Sequence, residues 1–236
     1  MKKKVLCVIP ARGGSKGLPS KNTRLLNGKP LVSYVIATAL QSSLIDKTIV
    51  STDNEEIASV AVSCGAEVPF LRPAELAQDS STLFPVLIHA MQFFDVSGWH
   101  ADIVISFQPT SPLTPLADLD NGISKIIETG CDSVASVCEI DRNHPFRALK
   151  VEGDKIYPLT EYTNEKHANR QDRPLCYSHN GAFYIRTREV LEKWTGTGFA
   201  LGEDQRAVIM DRVAAVNIDG LLDFKLAEII LKEKLC

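Results

Sequence analysis

The chain has 236 residues, 44% hydrophobic and 23% charged, with a formal net charge of −3. This is ordinary globular composition, without the basic footprint of a nucleic-acid binder or the roughly 20 consecutive apolar residues of a membrane span. Positive charge for an anionic ligand must therefore be placed locally. Six cysteines (Cys7, Cys64, Cys131, Cys138, Cys176 and Cys236) form no C-x-x-C pair, and free thiols of a cytoplasmic protein are expected. Lys2, Lys3 and Lys4 precede a short apolar run as in a signal peptide. That run is too short, and Arg12 and Lys16 follow at once, so it reads as a first strand.

Val5–Pro10 is almost continuously apolar, the pattern of a central strand buried on both faces. A glycine-rich basic loop follows. Leu31–Leu40 has helical length, and Thr48–Ser51 reads as a strand. Glu55–Cys64 reads as a helix with Asn54 as its cap. Glu67–Leu71 suggests a short strand, Leu83–Phe94 a helix and Ile103–Phe107 a strand. Asp118–Glu128 suggests a helix and Ser133–Val137 a strand. This alternation predicts an α/β fold with a mostly parallel sheet and helices on both faces. Ligands of such sheets bind beyond the carboxyl ends of the strands, which places the loops at 11–22, 52–54 and 108–112 on one rim. The polar segment 139–178 breaks the rhythm, and a connection this long is an arm or a functional loop. Gly181–Ile185 and Val213–Ile218 then read as strands. Glu189–Lys193 and Leu221–Leu235 read as helices. The expectation is a single domain, 1–236, containing that excursion.

Three glycines, Gly13, Gly14 and Gly17, stand with Arg12, Lys16 and Lys21 directly after the first strand. Glycines let backbone N–H groups approach a ligand. Arginine grips phosphate bidentately and lysine acts as a point charge. A polyphosphate site is the functional reading and a flexible basic surface loop the bland one. The spacing is neither that of a Walker loop nor G-x-G-x-x-G.

Asn217 and Asp219 alternate with apolar residues, and Asp223 follows. Oxygen ligands at a strand end suit Mg²⁺. Equally, Asp219 could cap the final helix. The run Gln108-Pro109-Thr110-Ser111-Pro112 closes a strand, as a substrate contact or simply as a turn. Arg72 could reach a base or sugar, or be solvated. His144, His167 and His179 lack metal-ligand spacing, and no nucleophile elbow is present.

Taken together, these segments resemble the acylneuraminate cytidylyltransferases, the CMP-sialic acid synthetases. The likeness starts at Ile9 to Gly17 with Lys21-Asn22. It continues through Val50 to Asp53, Arg72 to Ala77, Gln108 to Leu113, Asn180 to Ile185, and Asn217-Ile218-Asp219 to Asp223. It implies a Rossmann-like nucleotidyltransferase fold and a homodimer in which 139–178 reaches the partner. It implies CTP and an acidic nine-carbon (nonulosonic) sugar as substrates, with Mg²⁺ as cofactor. Ala11, Arg12, Gly13, Ser15, Lys16, Lys21 and Asn22 would bind the nucleotide, with Arg72 and Thr82, the latter at a family serine position. Gln108, Arg147, Arg170 and Asn180 would hold the sugar, and Asp219 with Asn217 the metal. Arg12, Lys16, Lys21 and Asp219 would carry catalysis.

Two departures stand out. Asn217 replaces a usual family aspartate, and Ser178-His179 replaces an Arg-Pro pair, with Arg173 as a substitute cation. The second hints at a sugar other than sialic acid. The rival readings are a synthetase for the eight-carbon sugar Kdo, against which the Q-P-T-S-P segment speaks, and a non-catalytic nucleotide-binding dimer.

Overall fold

The computed structural model describes residues 2–14, 16–140, 143–159, 169, 171 and 173–233. In chain order, β1 (Val5–Pro10) leads through the small strands β2 (Leu25–Leu26) and β3 (Lys29–Pro30) to α1 (Leu31–Gln41). Then come β4 (Lys47–Ser51), α2 (Glu55–Ser63), α3 (Leu83–Val96), β5 (Ile103–Phe107), α4 (Leu116–Thr129) and β6 (Ser133–Glu139). The excursion contains an antiparallel hairpin, β7 (Leu149–Glu152) and β8 (Lys155–Pro158). The chain closes with β9 (Tyr177–Thr187), α5 (Arg188–Glu192), β10 (Gln205–Ile209) and α6 (Leu221–Glu233).

The main sheet has six strands in the order β10-β6-β9-β5-β1-β4. Only β9 runs antiparallel to its neighbours. Side chains alternate across a strand, and β1 divides accordingly. Val5, Cys7 and Ile9 pack with residues of α1, α2 and α4 on one face, while Leu6 and Val8 pack with α3 on the other. Both faces are therefore covered, which explains why β1 and β5 read as nearly continuous apolar runs, with Ser106 the polar exception in β5. A third cluster joins Leu18, Leu26, Leu113 and Ile218 to the α6 residues Phe224, Ala227 and Ile230. Among the described residues no helix is long and apolar enough to cross a membrane.

Two expected strands are absent. At 67–71 only isolated bridges form, Ile49 with Glu67 and Thr52 with Leu71, because Pro69 lacks the donor a ladder requires. At 213–218 the chain turns instead. The Asp211 carboxylate accepts from Val213 N (2.8 Å), and the Asp211 and Val213 carbonyls accept from Ala215 N and Val216 N. The place beside β6 belongs to β10, whose only buried residue is Val208. An edge strand with one buried side chain carries little apolar pattern to read.

Asn54 caps α2 as expected, its Oδ1 accepting from Ile57 N at 3.0 Å. Asn54→Ala should cost about 1 kcal/mol of unfolding free energy. Leu87→Ala, at a fully buried site on α3, should cost about 2–5 kcal/mol. Urea titration followed by circular dichroism would separate the two.

Candidate active site

The loop after β1 is folded onto the carboxyl ends of the strands by backbone bonds. Ala11 N donates to Ser51 O (3.0 Å), and Gly13 N donates to the Asp53 carboxylate (2.9 Å). Buried Asn22 closes the loop on itself, its Nδ2 donating to Arg12 O (3.0 Å) while its own carbonyl accepts from Val32 N at the start of α1. The loop also meets the other end of the chain. Lys21 Nζ donates to Ile218 O (2.9 Å) and lies 3.9 Å from the Asp219 carboxylate. Gly17 passes so close to the Asp219 carbonyl that a Cβ there would overlap it.

These contacts build two adjoining clefts, of about 460 and 270 Å³, that share Pro10, Arg12, Gln108, Thr110 and Asp219. Arg72, Thr82 and Asn217 line the larger cleft, and Lys16, Lys21 and Asn22 the smaller. Most of the residues expected from the sequence thus converge at the carboxyl ends of the strands. Others take different places. Ala11 is buried, and Gly13 is held by Asp53. The Asn180 side chain is turned into the fold: its Oδ1 accepts from Ser136 Oγ (2.6 Å) and Ala182 N (3.1 Å), and its Nδ2 faces Met210 Sδ. Arg147 sits on an exposed turn that lines neither cleft. Ser15 and Arg170 lie outside the described residues.

The cations of the site are handled in different ways. Arg72 is buried. Its Nε donates to Ser51 Oγ (3.2 Å), and a second nitrogen donates to Ser51 O. Burial pulls its pKa down to about 10, against the attraction of Asp53. Burial likewise brings Lys21 below the usual lysine range, opposed by nearby Asp219. Arg12 and Lys16 are more exposed and share one partner. Asp79 lies 3.1 Å from Arg12 Nη1 and 2.5 Å from Lys16 Nζ. The ammonium of Lys16, with Arg12, holds the Asp79 carboxyl below its usual range. Asp79 was not anticipated, because its setting, Gln78 to Thr82, reads as a polar connection without periodicity.

Asp219 does not cap α6. Asp223, inside the first turn of α6, reaches back over the entry to the helix, its Oδ2 accepting from Gly220 N (2.9 Å) and Asp219 N (3.0 Å). The Asp219 carboxylate is left 84% exposed beside Lys21. Asn217 donates through Nδ2 to Asn180 O (3.0 Å), and its buried Oδ1 finds no hydrogen-bond partner. Gly181 makes room for that amide: a Cβ there would stand 2.8 Å from Asn217 Nδ2. One carboxylate and one orphaned amide oxygen at the cleft are hard donors of the kind Mg²⁺ accepts, with phosphate oxygens completing the shell. Among the described residues no cluster of three or more His, Cys, Asp or Glu forms a metal site by itself.

An open α/β sheet with a cationic cleft at its strand ends is suited to a phosphate-bearing ligand such as a nucleotide. Comparison with known proteins makes the assignment specific. Residues 6–199 match the cytidylyltransferase family model, and the chain belongs to that family. It is 36% identical over 228 residues to the CMP-N,N'-diacetyllegionaminic acid synthase of Legionella pneumophila, covering 95% of each chain. It is 32% identical over 233 residues to the pseudaminic acid cytidylyltransferase of Campylobacter jejuni, covering 97% of each. It is also 32% identical over 234 residues to the post-translational flagellin modification protein B of Campylobacter coli, covering 98% of this chain and 96% of that one. Among solved structures, a CMP:2-keto-3-deoxy-manno-octonic acid synthetase complexed with CTP superposes with a TM-score of 0.76. It covers 98% of this chain and all of that one, at 18% identity, a likeness of fold alone.

Asp79 occupies two cations that would otherwise face an incoming anion. Asp79→Asn should therefore tighten the binding of inorganic pyrophosphate a few-fold, the scale of a surface ion pair. Isothermal titration would show it, and unchanged affinity would mean that Asp79 does not compete.

Proposed function

We propose that the protein transfers the CMP moiety of CTP to the anomeric hydroxyl of a nonulosonic acid, releasing pyrophosphate. The observation that carries this reading is the convergence of Arg12, Lys16, Lys21 and Asp219 on one cleft in a chain of the cytidylyltransferase family. Two relatives named for CMP-legionaminic and pseudaminic acid chemistry support a nine-carbon acid over Kdo.

In the reaction, the anomeric oxygen forms a bond to the α-phosphorus, the bond from that phosphorus to the β-bridging oxygen breaks, and the hydroxyl proton is lost. Such a displacement depends on alignment and on neutralising charge in the leaving group. Arg12 and Lys16 exchange Asp79 for phosphate oxygens. Lys21, oriented by the Ile218 carbonyl, adds a fixed positive charge. Arg72 and Thr82 border the nucleoside, and Gln108 meets the sugar. Asp219, with the Asn217 amide oxygen, would hold Mg²⁺, which when bound supplies electrostatic stabilisation of the phosphates.

The hairpin β7–β8 supports a homodimer. All its residues are exposed, including Val151 (66%) and Ile156 (64%). A two-stranded hairpin alone is marginal in water, and a second copy is the proposed cover. The part of segment 139–178 that lies between β6 and β9 is then the dimerisation arm, with Arg147 and Arg170 as sugar contacts in the partner's cleft. A cytoplasmic setting fits the five described cysteines, all free.

The test is pyrophosphate release from CTP and Mg²⁺ with N-acetylneuraminic, legionaminic, pseudaminic and Kdo acids. Release with a nine-carbon acid is expected. Release with Kdo alone, or silence throughout with CTP bound, would overturn the reading, silence favouring the non-catalytic dimer. With the active sugar, Asp219→Asn should raise the Mg²⁺ needed for half-maximal rate by about tenfold or more. An unchanged requirement would remove Asp219 from the metal site.

A further inference from the structure

Arg186 is the largest fully buried side chain among the described residues, 1% exposed. A guanidinium taken out of water is costly unless a carboxylate meets it. Here none does. Nε donates to Ala200 O (2.9 Å), Nη2 to Phe199 O (3.2 Å) and Nη1 to Ser106 Oγ (3.2 Å). The guanidinium also lies over two aromatic rings, Tyr184 at 4.9 Å and Phe84 at 5.2 Å. Neutral dipoles and ring faces satisfy its donors and leave its charge unneutralised. Burial pulls its pKa down to about 10, which still leaves it cationic at neutral pH.

The position of this charge gives it a use. Tyr184 lines the larger cleft, together with Gln108, Gly181 and Asn217. His179 flanks the same ring, with centroids 5.5 Å apart. The wall formed by Tyr184 is thus backed by an uncompensated cation. An apolar side chain could fill such a core site without the desolvation cost, so packing alone does not explain an arginine here.

We infer that Arg186 is a positioning residue for the acidic substrate, fixing Tyr184 as the wall of the cleft and lending its unpaired charge to an anion bound against that wall. The inference rests on the functional reading above, in which the sugar lies beside Gln108. A purely structural alternative also exists, because Arg186 ties the loop carrying Phe199 and Ala200 to β9 and β5.

Arg186→Gln keeps a donor for those carbonyls and removes the charge. Arg186→Lys keeps the charge. Steady-state kinetics with the active sugar, and Tm as a control, discriminate between the two roles. Arg186→Gln should raise the KM for the sugar by about tenfold, with the KM for CTP nearly unchanged, and Arg186→Lys should recover most of that loss. Arg186→Met serves if the glutamine variant does not fold. Lowered Tm and kcat in both variants with an unchanged sugar KM would overturn the inference. Gln108→Ala locates such a failure. If it raises the sugar KM while Arg186→Gln does not, the role of Arg186 is wrong and the functional reading stands. If neither variant changes it, the placement of the sugar fails, and the inference with it.

Discussion

The structure depends on one close approach, that of the loop after the first strand to the turn before the last helix. Gly17 has no Cβ and so can lie against the Asp219 backbone. Lys21 bonds the Ile218 carbonyl, while Ile218 N donates to Thr110 O (2.7 Å) in the loop after β5. The Ile218 side chain is fully buried with Leu18, Leu113 and Phe224. Three parts of the chain far apart in sequence are thereby fixed at one point, and apolar burial holds them there. The polar groups around that point need no rigidity of their own.

The same contact arranges charge. The chain as a whole is acidic, yet its clefts gather Arg12, Lys16, Lys21 and Arg72. Lys21 and Arg72 are desolvated and held by carbonyl or hydroxyl oxygens rather than by tight ion pairs. A cation held in this way keeps its charge available to a ligand. Arg12 and Lys16 instead share the single carboxylate of Asp79 on the facing segment. Fixed charges are thus already oriented, and on the proposed function the shared ones would be released as the ligand arrives. That division suits the binding of a polyphosphate whose position must be set for in-line displacement.

Much of this was legible in the sequence, for identifiable reasons. Strands buried on both faces, β1 and β5, announce themselves by apolar runs, and α2 by its Asn54 cap. The glycine and lysine pattern of the first loop is local, and so is its placement after a strand. What was not legible depends on tertiary context. The place of β9 between β5 and β6, antiparallel to both, is encoded by no local pattern. β10 buries a single residue, whereas the apolar run Val213 to Val216 imitates a strand that Asp211 converts into a turn. Asp223, inside α6, and not the Asp219 side chain, makes the bonds at the entry to the helix, a choice set by side-chain orientation. Asp79 and Arg186 gain their meaning only from the residues the fold brings beside them.

The meeting of the loop after β1 with the turn before α6 gathers the charge proposed to drive cytidylyl transfer, with Lys21 at its centre. Turnover of CTP with the active sugar by Lys21→Ala tests it most directly, with circular dichroism as a check on folding. Lys21 is a part-buried cation whose described partners are the Ile218 carbonyl and, at 3.9 Å, the Asp219 carboxylate, while apolar burial of Ile218 holds the turn in place. Its removal should therefore leave the fold intact and lower kcat by about 100-fold or more, the scale of losing one preorganised electrostatic contact. Folded protein with unchanged turnover would show that Lys21 does not drive the transfer.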